Sequence, residues 1–179
     1  MISTLINFSL AALCFINTSL DLEVSKAIEK RMRKEITKVF LCKDYEMADV
    51  TDSPSFKFKN STYLSDHRIY KISRLGSLLG YAFLGTAPSK TDTFEYLILF
   101  DQNFIQMKAK VMVYREDYGG EISSNRWLSQ FKNTSLGQRF IYGDNISAIS
   151  GATISVKSMT NSINYVYSQL QRQLAIASR

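Results

Sequence analysis

The stretch Phe94-Glu95-Tyr96-Leu97-Ile98-Leu99-Phe100, then Asp101-Gln102-Asn103, then Phe104-Ile105-Gln106-Met107-Lys108-Ala109-Lys110-Val111-Met112-Val113-Tyr114 decides the fold. Both apolar runs are rich in aromatic and branched residues, which suit a pleated, buried surface. In the second, Met107, Ala109, Val111 and Val113 alternate with Lys108 and Lys110, the period of a half-buried strand. The intervening Asp-Gln-Asn marks a turn, so the two runs form an antiparallel hairpin. Upstream, Leu78-Leu79-Gly80-Tyr81-Ala82-Phe83-Leu84 reads as another strand.

Helices flank these strands. From Asp21 onward Val24, Ile28, Met32, Ile36, Val39 and Phe40 recur every three to four residues, predicting an amphipathic helix with Lys26, Lys30, Arg33 and Lys34 in water. A last helix runs from near Thr153 to about Ala175, with Met159, Ile163, Val166, Leu170 and Leu174 as its apolar stripe. A short helix carries Trp127, Leu128 and Phe131 inward, with Ser123 or Ser124 as its cap. The stretch Tyr45–Ser65 is polar, with Thr51-Asp52-Ser53-Pro54 as a turn, and reads as irregular pieces. This order predicts an α+β domain: a twisted antiparallel sheet packed with an N-terminal helix and a C-terminal helix.

The 179 residues fit one domain, and 45% hydrophobic with 21% charged residues is ordinary globular usage. The net charge of +6 is spread along the chain, and its one cluster, Lys30 to Lys34, has no interleaved aromatic rings, which argues against nucleic acid as a partner. A basic surface also suits acidic redox proteins or anionic headgroups. Residues 1–20 contain no charged side chain, and Leu5 to Ile16 is apolar except at Asn7 and Ser9. That length is short of the roughly 20 residues that span a bilayer, so the segment reads as a signal peptide or membrane anchor, leaving residues 21–179 as a single domain outside the cytoplasm, in the periplasm or cell envelope. Cys14 follows Leu13 where a lipoprotein signal wants a small residue. Cys42 and His67, the remaining cysteine and the single histidine, make neither a disulfide nor a metal-ligand set.

The segment Ser147-Ala148-Ile149-Ser150-Gly151-Ala152-Thr153-Ile154-Ser155 ends a loop and begins the last helix. The first amides of a helix lack internal partners and sit at the positive end of its dipole, so this is a place for phosphate. Gly151 lets a ligand approach the backbone, and Thr153, Ser155 and Ser158 supply hydroxyls. Local chemistry equally allows Ser150 or Thr153 to be a plain N-cap.

Ser150-Gly151-Ala152-Thr153-Ile154-Ser155 resembles the flavinylation motif of the FMN-binding domain family, which includes periplasmic flavin subunits of sodium-translocating NADH:quinone reductase and of Rnf-type complexes. The resemblance extends over Gly80 to Tyr167, through Gly80-Tyr81-Ala82-Phe83, Tyr118-Gly119-Gly120-Glu121-Ile122, Trp127-Leu128 and Gln130-Phe131. It implies FMN joined through its phosphate to the Thr153 hydroxyl by an exported FAD:protein FMN transferase. It also implies that Ser150, Gly151, Ala152, Ser155, Tyr118, Gly119, Gly120 and Glu121 surround the cofactor, with Tyr142 and Lys157 as further phosphate or ribityl contacts. The family often has Asp where this chain has Ser147, and its respiratory subunits have Glu-Thr-Pro-Gly where this chain has Tyr-Gly-Gly-Glu. The resemblance therefore implies a small stand-alone carrier passing electrons between membrane or periplasmic redox proteins. A partner-dependent flavin reductase and an envelope binding module that has lost flavin are the alternative readings.

Overall fold

The computed structural model describes residues 26–59, 61–64 and 66–177. The expected export segment, and Asp21 and Val24 of the expected first helix, lie outside the described residues. Helix α1 spans residues 26–40; strands β1 (Glu46–Asp49), β2 (His67–Arg74), β3 (Ser77–Pro88), β4 (Thr93–Asp101) and β5 (Gln106–Val113) follow, then α2 (Asn125–Leu128) and α3 (Thr153–Ala177). The strands form an antiparallel meander in chain order, so the domain is α+β as expected. The chain divides between Glu35 and Ile36 into two units, and the sheet, α2 and α3 all belong to the second.

The apolar run of β4 is continuous because both faces of the sheet are covered there. Phe94, Tyr96, Ile98 and Phe100 join Phe83, Ala109 and Val111 in one core with Met159, Ile163, Val166 and Leu170 of α3. On the opposite face Ile72, Ala82, Leu97, Leu99 and Met112 are also buried. Phe40, at the end of α1, lies against Gly80 on that side. Each large apolar side chain so buried stabilises the fold by about 1.5–3 kcal/mol.

Along α1, Ile28, Met32 and Ile36 are buried, while Lys26, Lys30, Arg33 and Lys34 are exposed. The β4–β5 turn forms as its composition predicts: Asp101 Oδ1 accepts from the amides of Asn103 and Ile105, each at 2.8 Å. Phe104 belongs to that turn, in a left-handed conformation (φ 59°), so β5 starts at Gln106. Ser124 caps α2 by accepting from Trp127 N at 3.2 Å.

Two expectations need correction, and one strand carries no sequence signal. Tyr45–Ser65 is not all irregular, because Glu46–Asp49 forms β1. This is an edge strand whose side chains are mostly in water, so no apolar period marks it. Strand β2 shows no apolar alternation, because its buried isoleucines, Ile69 and Ile72, are three apart and serve opposite faces, with a register shift at Ile72/Ser73. Leu174 is 43% exposed, since the last turns of α3 run on beyond the buried stripe that ends at Leu170.

Two buried polar contacts join α3 to the sheet. The Tyr96 hydroxyl and Ser162 Oγ, on residues of 0% exposure, are 2.5 Å apart. Tyr167 donates to Gln106 Oε1 at 2.8 Å and lies 2.7 Å from Thr134 Oγ1, and burial pushes its phenol up to about 12. Tyr96→Phe strands the Ser162 hydroxyl and should cost about 1–2 kcal/mol, read as a lower urea midpoint; adding Ser162→Ala should restore part of the loss.

Candidate functional site

Six hydrogen bonds position the start of α3. Ser155, 1% exposed, places its Oγ 3.0 Å from the Tyr114 hydroxyl, just beyond β5. Ser158 Oγ donates to the carbonyl of Pro88 at the end of β3. Trp127 Nε1 donates to Ser147 O at 2.8 Å, and Ser147 N donates to Gln130 Oε1 at 2.7 Å. Asn164 grips the backbone of Phe140 from both sides, at 2.9 and 2.8 Å, fixing the chain that leads into the motif.

The glycine loop and the motif meet directly. Gly119 is left-handed (φ 75°), and a Cβ there would stand 2.3 Å from the Cβ of Ala152. Gly151 is also left-handed (φ 76°), and a Cβ there would be 3.2 Å from that of Tyr118. Only glycine adopts this backbone without strain and allows so close a contact. Gly120, by contrast, has nothing within 4 Å of a built Cβ, so its face of the loop is open.

Neither Ser150 nor Thr153 is the helix cap. Ala152 precedes the first helical residue and its carbonyl accepts the first helical bond, from Val156 N at 2.9 Å, but its side chain has no acceptor. The amides of Thr153, Ile154 and Ser155 therefore begin α3 without intrahelical partners, the setting that attracts an anion. Thr153 is exposed, and its hydroxyl has no hydrogen-bond partner among the described residues. One turn along the same face, the Lys157 ammonium lies 5.0 Å from the centroid of the Tyr142 ring.

The structure thus brings together Tyr118, Gly119, Gly151, Ala152 and Thr153, and separately pairs Tyr142 with Lys157. Tyr118 is 77% exposed, and Glu121 is exposed in the 3-10 turn Gly120–Ser123. Ser150 is exposed in the turn before the helix. Ser155 faces inward to Tyr114, so its hydroxyl serves the fold. The anchoring roles of Tyr114, Ser158 and Asn164 were not read from the sequence, because each depends on a partner 24 to 70 residues away. His67 stacks on Phe58 at 5.1 Å, and burial lowers its pKa against the opposing pull of Asp66 and Asp52. A separate cleft, lined by Lys38, Met107 and Lys132 among others, lies away from this site.

Fold and site together define an α+β domain whose last helix begins with an exposed hydroxyl and three amides that lack intrahelical partners. Residues 91–168 match the model of the FMN-binding domain family, from before β4 through the motif and into α3. The fold is similar to that in the crystal structure of Shewanella oneidensis NqrC, with a TM-score of 0.54 and 12% identity over 83% of this chain and 99% of that one. No curated protein matches the chain.

The residues present fit FMN: the open face at Gly120, the free amides of α3 and the Lys157 charge all suit a phosphate-bearing ring system. Gly119→Ala should lower stability by about 2–3 kcal/mol through left-handed strain and the contact with Ala152, whereas Gly120→Ala should leave the unfolding midpoint within about 0.5 kcal/mol of the parent. Chemical denaturation of both variants checks this.

Proposed function

We propose that this protein is an exported electron carrier holding FMN as a phosphoester on Thr153. The observation that carries the reading is the exposed, unengaged Thr153 hydroxyl at the first residue of α3, beside the close approach of Gly119 to Ala152. In maturation by an FAD:protein FMN transferase, Thr153 Oγ1 bonds to the FMN-side phosphorus of FAD, the diphosphate bridge breaks, AMP leaves, and the threonine proton passes to solvent or base.

Bound FMN supplies reversible electron and proton uptake; the chain supplies position, exposure and charge. The first amides of α3 and Lys157 offset the phosphoester's negative charge. Gly119 and Gly120 give a ring system close backbone access, and exposed Tyr118 offers a stacking face. Glu121 stands at the rim of the same loop. No side chain has to relay a proton to a substrate, which favours a carrier over a reductase with its own substrate site. The exposed position suits exchange with membrane or periplasmic redox proteins. Covalent attachment suits a compartment where a lost cofactor is not replaced, in keeping with residues 1–20 acting as a signal peptide or membrane anchor. Among the described residues no helix is long and apolar enough to cross a membrane.

Coexpression of the whole chain with an FAD:protein FMN transferase should give a band that fluoresces under ultraviolet light in a denaturing gel. Thr153→Ala should abolish that fluorescence while leaving the unfolding midpoint near that of the flavin-free parent. A fluorescent Thr153→Ala band would move the attachment elsewhere, and a dark parent band would rule out the covalent link.

A further inference from the structure

A cleft in the second unit has a volume of about 610 Å³, within the roughly 300–1,000 Å³ of small-ligand sites. It arises where the outer edge of β5 and the segment after α2 part company. The two are joined at one end by Gln106 N to Thr134 O and Asn133 N to Gln106 O, at 2.8 and 2.7 Å. Farther along β5, Lys110 Nζ reaches Ser123 O at 3.5 Å. Between these ties Met107 and Ala109 face the cleft from the strand and Leu128 from α2, with Val39 from the end of α1. Ala109 and Leu128, 4% and 3% exposed, belong to the core, so the cleft has an apolar floor.

Its charged side chains are of one sign. Lys38, Lys108 and Lys132 line the cleft, and no acidic residue does among the described residues. Asn125, Ser129 and Asn133 add neutral hydrogen-bonding groups. Cations around an apolar floor match a molecule with an anionic end and a hydrocarbon body. An acidic protein surface would match the charge but leave the concave floor unfilled. We propose that this cleft binds an amphiphilic anion, its phosphate or carboxylate held by the lysines and its chain laid over Ala109, Leu128 and Val39. The proposal does not depend on attachment at Thr153.

Trp127, the one tryptophan of the chain, adjoins Leu128 in α2 and is 6% exposed, which places a fluorescent reporter next to the floor. The full chain would be titrated with monomeric decyl phosphate, decanoate, 1-decanol and inorganic phosphate, with Trp127 emission and calorimetry read in parallel. Decyl phosphate or decanoate should bind saturably, and decanol and inorganic phosphate about tenfold or more weakly. Comparison of the two amphiphiles distinguishes a phosphate from a carboxylate headgroup. Lys108→Gln with Lys132→Gln should weaken the bound amphiphile by about tenfold or more while the chain remains folded, whereas Lys157→Gln should have no effect. The proposal is overturned if neither anionic amphiphile binds by either readout, if decanol binds as well as they do, or if the double variant folds and binds like the parent.

Discussion

The contact between the Gly119 backbone and Ala152 closes a frame of chain on which the site depends. From Gly119 the chain passes through the turn Gly120–Ser123 and α2, and Trp127 Nε1 returns it to Ser147 O, five residues before Ala152. Two segments distant in sequence are thus clasped at two points. A side chain at position 119 would push the clasp open, because its Cβ would fall far inside van der Waals distance of Ala152. Ser155 on Tyr114 and Ser158 on Pro88 then fasten the beginning of α3 to the ends of β5 and β3. Position at the site is fixed by packing and short-range hydrogen bonds, with no ion pair among these ties.

The hydrophobic core sets the rotation of α3 and therefore the exposure of Thr153. Val156, Met159, Ile163, Val166 and Leu170 occupy the buried stripe. Thr153, Ile154 and Lys157 must then face outward, because a helix has only one apolar side to bury. Ala152, a residue with no capping group, precedes the helix where Ser or Asp would have satisfied a free amide. The chain forgoes that local stabilisation at the first turn of α3. Lys157 follows one turn later, its ammonium over Tyr142, adding positive charge on the side of α3 that carries Thr153.

Much of this was legible in the residues. The alternation in β5, the Asp101 turn, the Ser124 cap and the period of α3 are local patterns with local causes, and they appear where their chemistry puts them. Strand β1 was hidden because an exposed edge needs no apolar period. In β2, Ile69 and Ile72 answer to opposite faces across a shifted register. At the site, the motif and the glycine loop were legible as separate pieces, each with a reason to approach a ligand. Their contact with one another was not, since nothing in Gly119 or Ala152 alone names the other. Ser155 shows the limit of reading by residue type: its hydroxyl suits phosphate, but its position on the helix turns it toward Tyr114.

The central claim is that the exposed hydroxyl at the start of α3 is the point of covalent attachment. Tandem mass spectrometry of the tryptic peptide Phe140–Lys157, from chain coexpressed with an FAD:protein FMN transferase, tests it most directly. The account predicts an added mass of one FMN less one water, with fragment ions assigning it to Thr153. An unmodified peptide, or the same added mass assigned to Ser150 or Ser155, would contradict it.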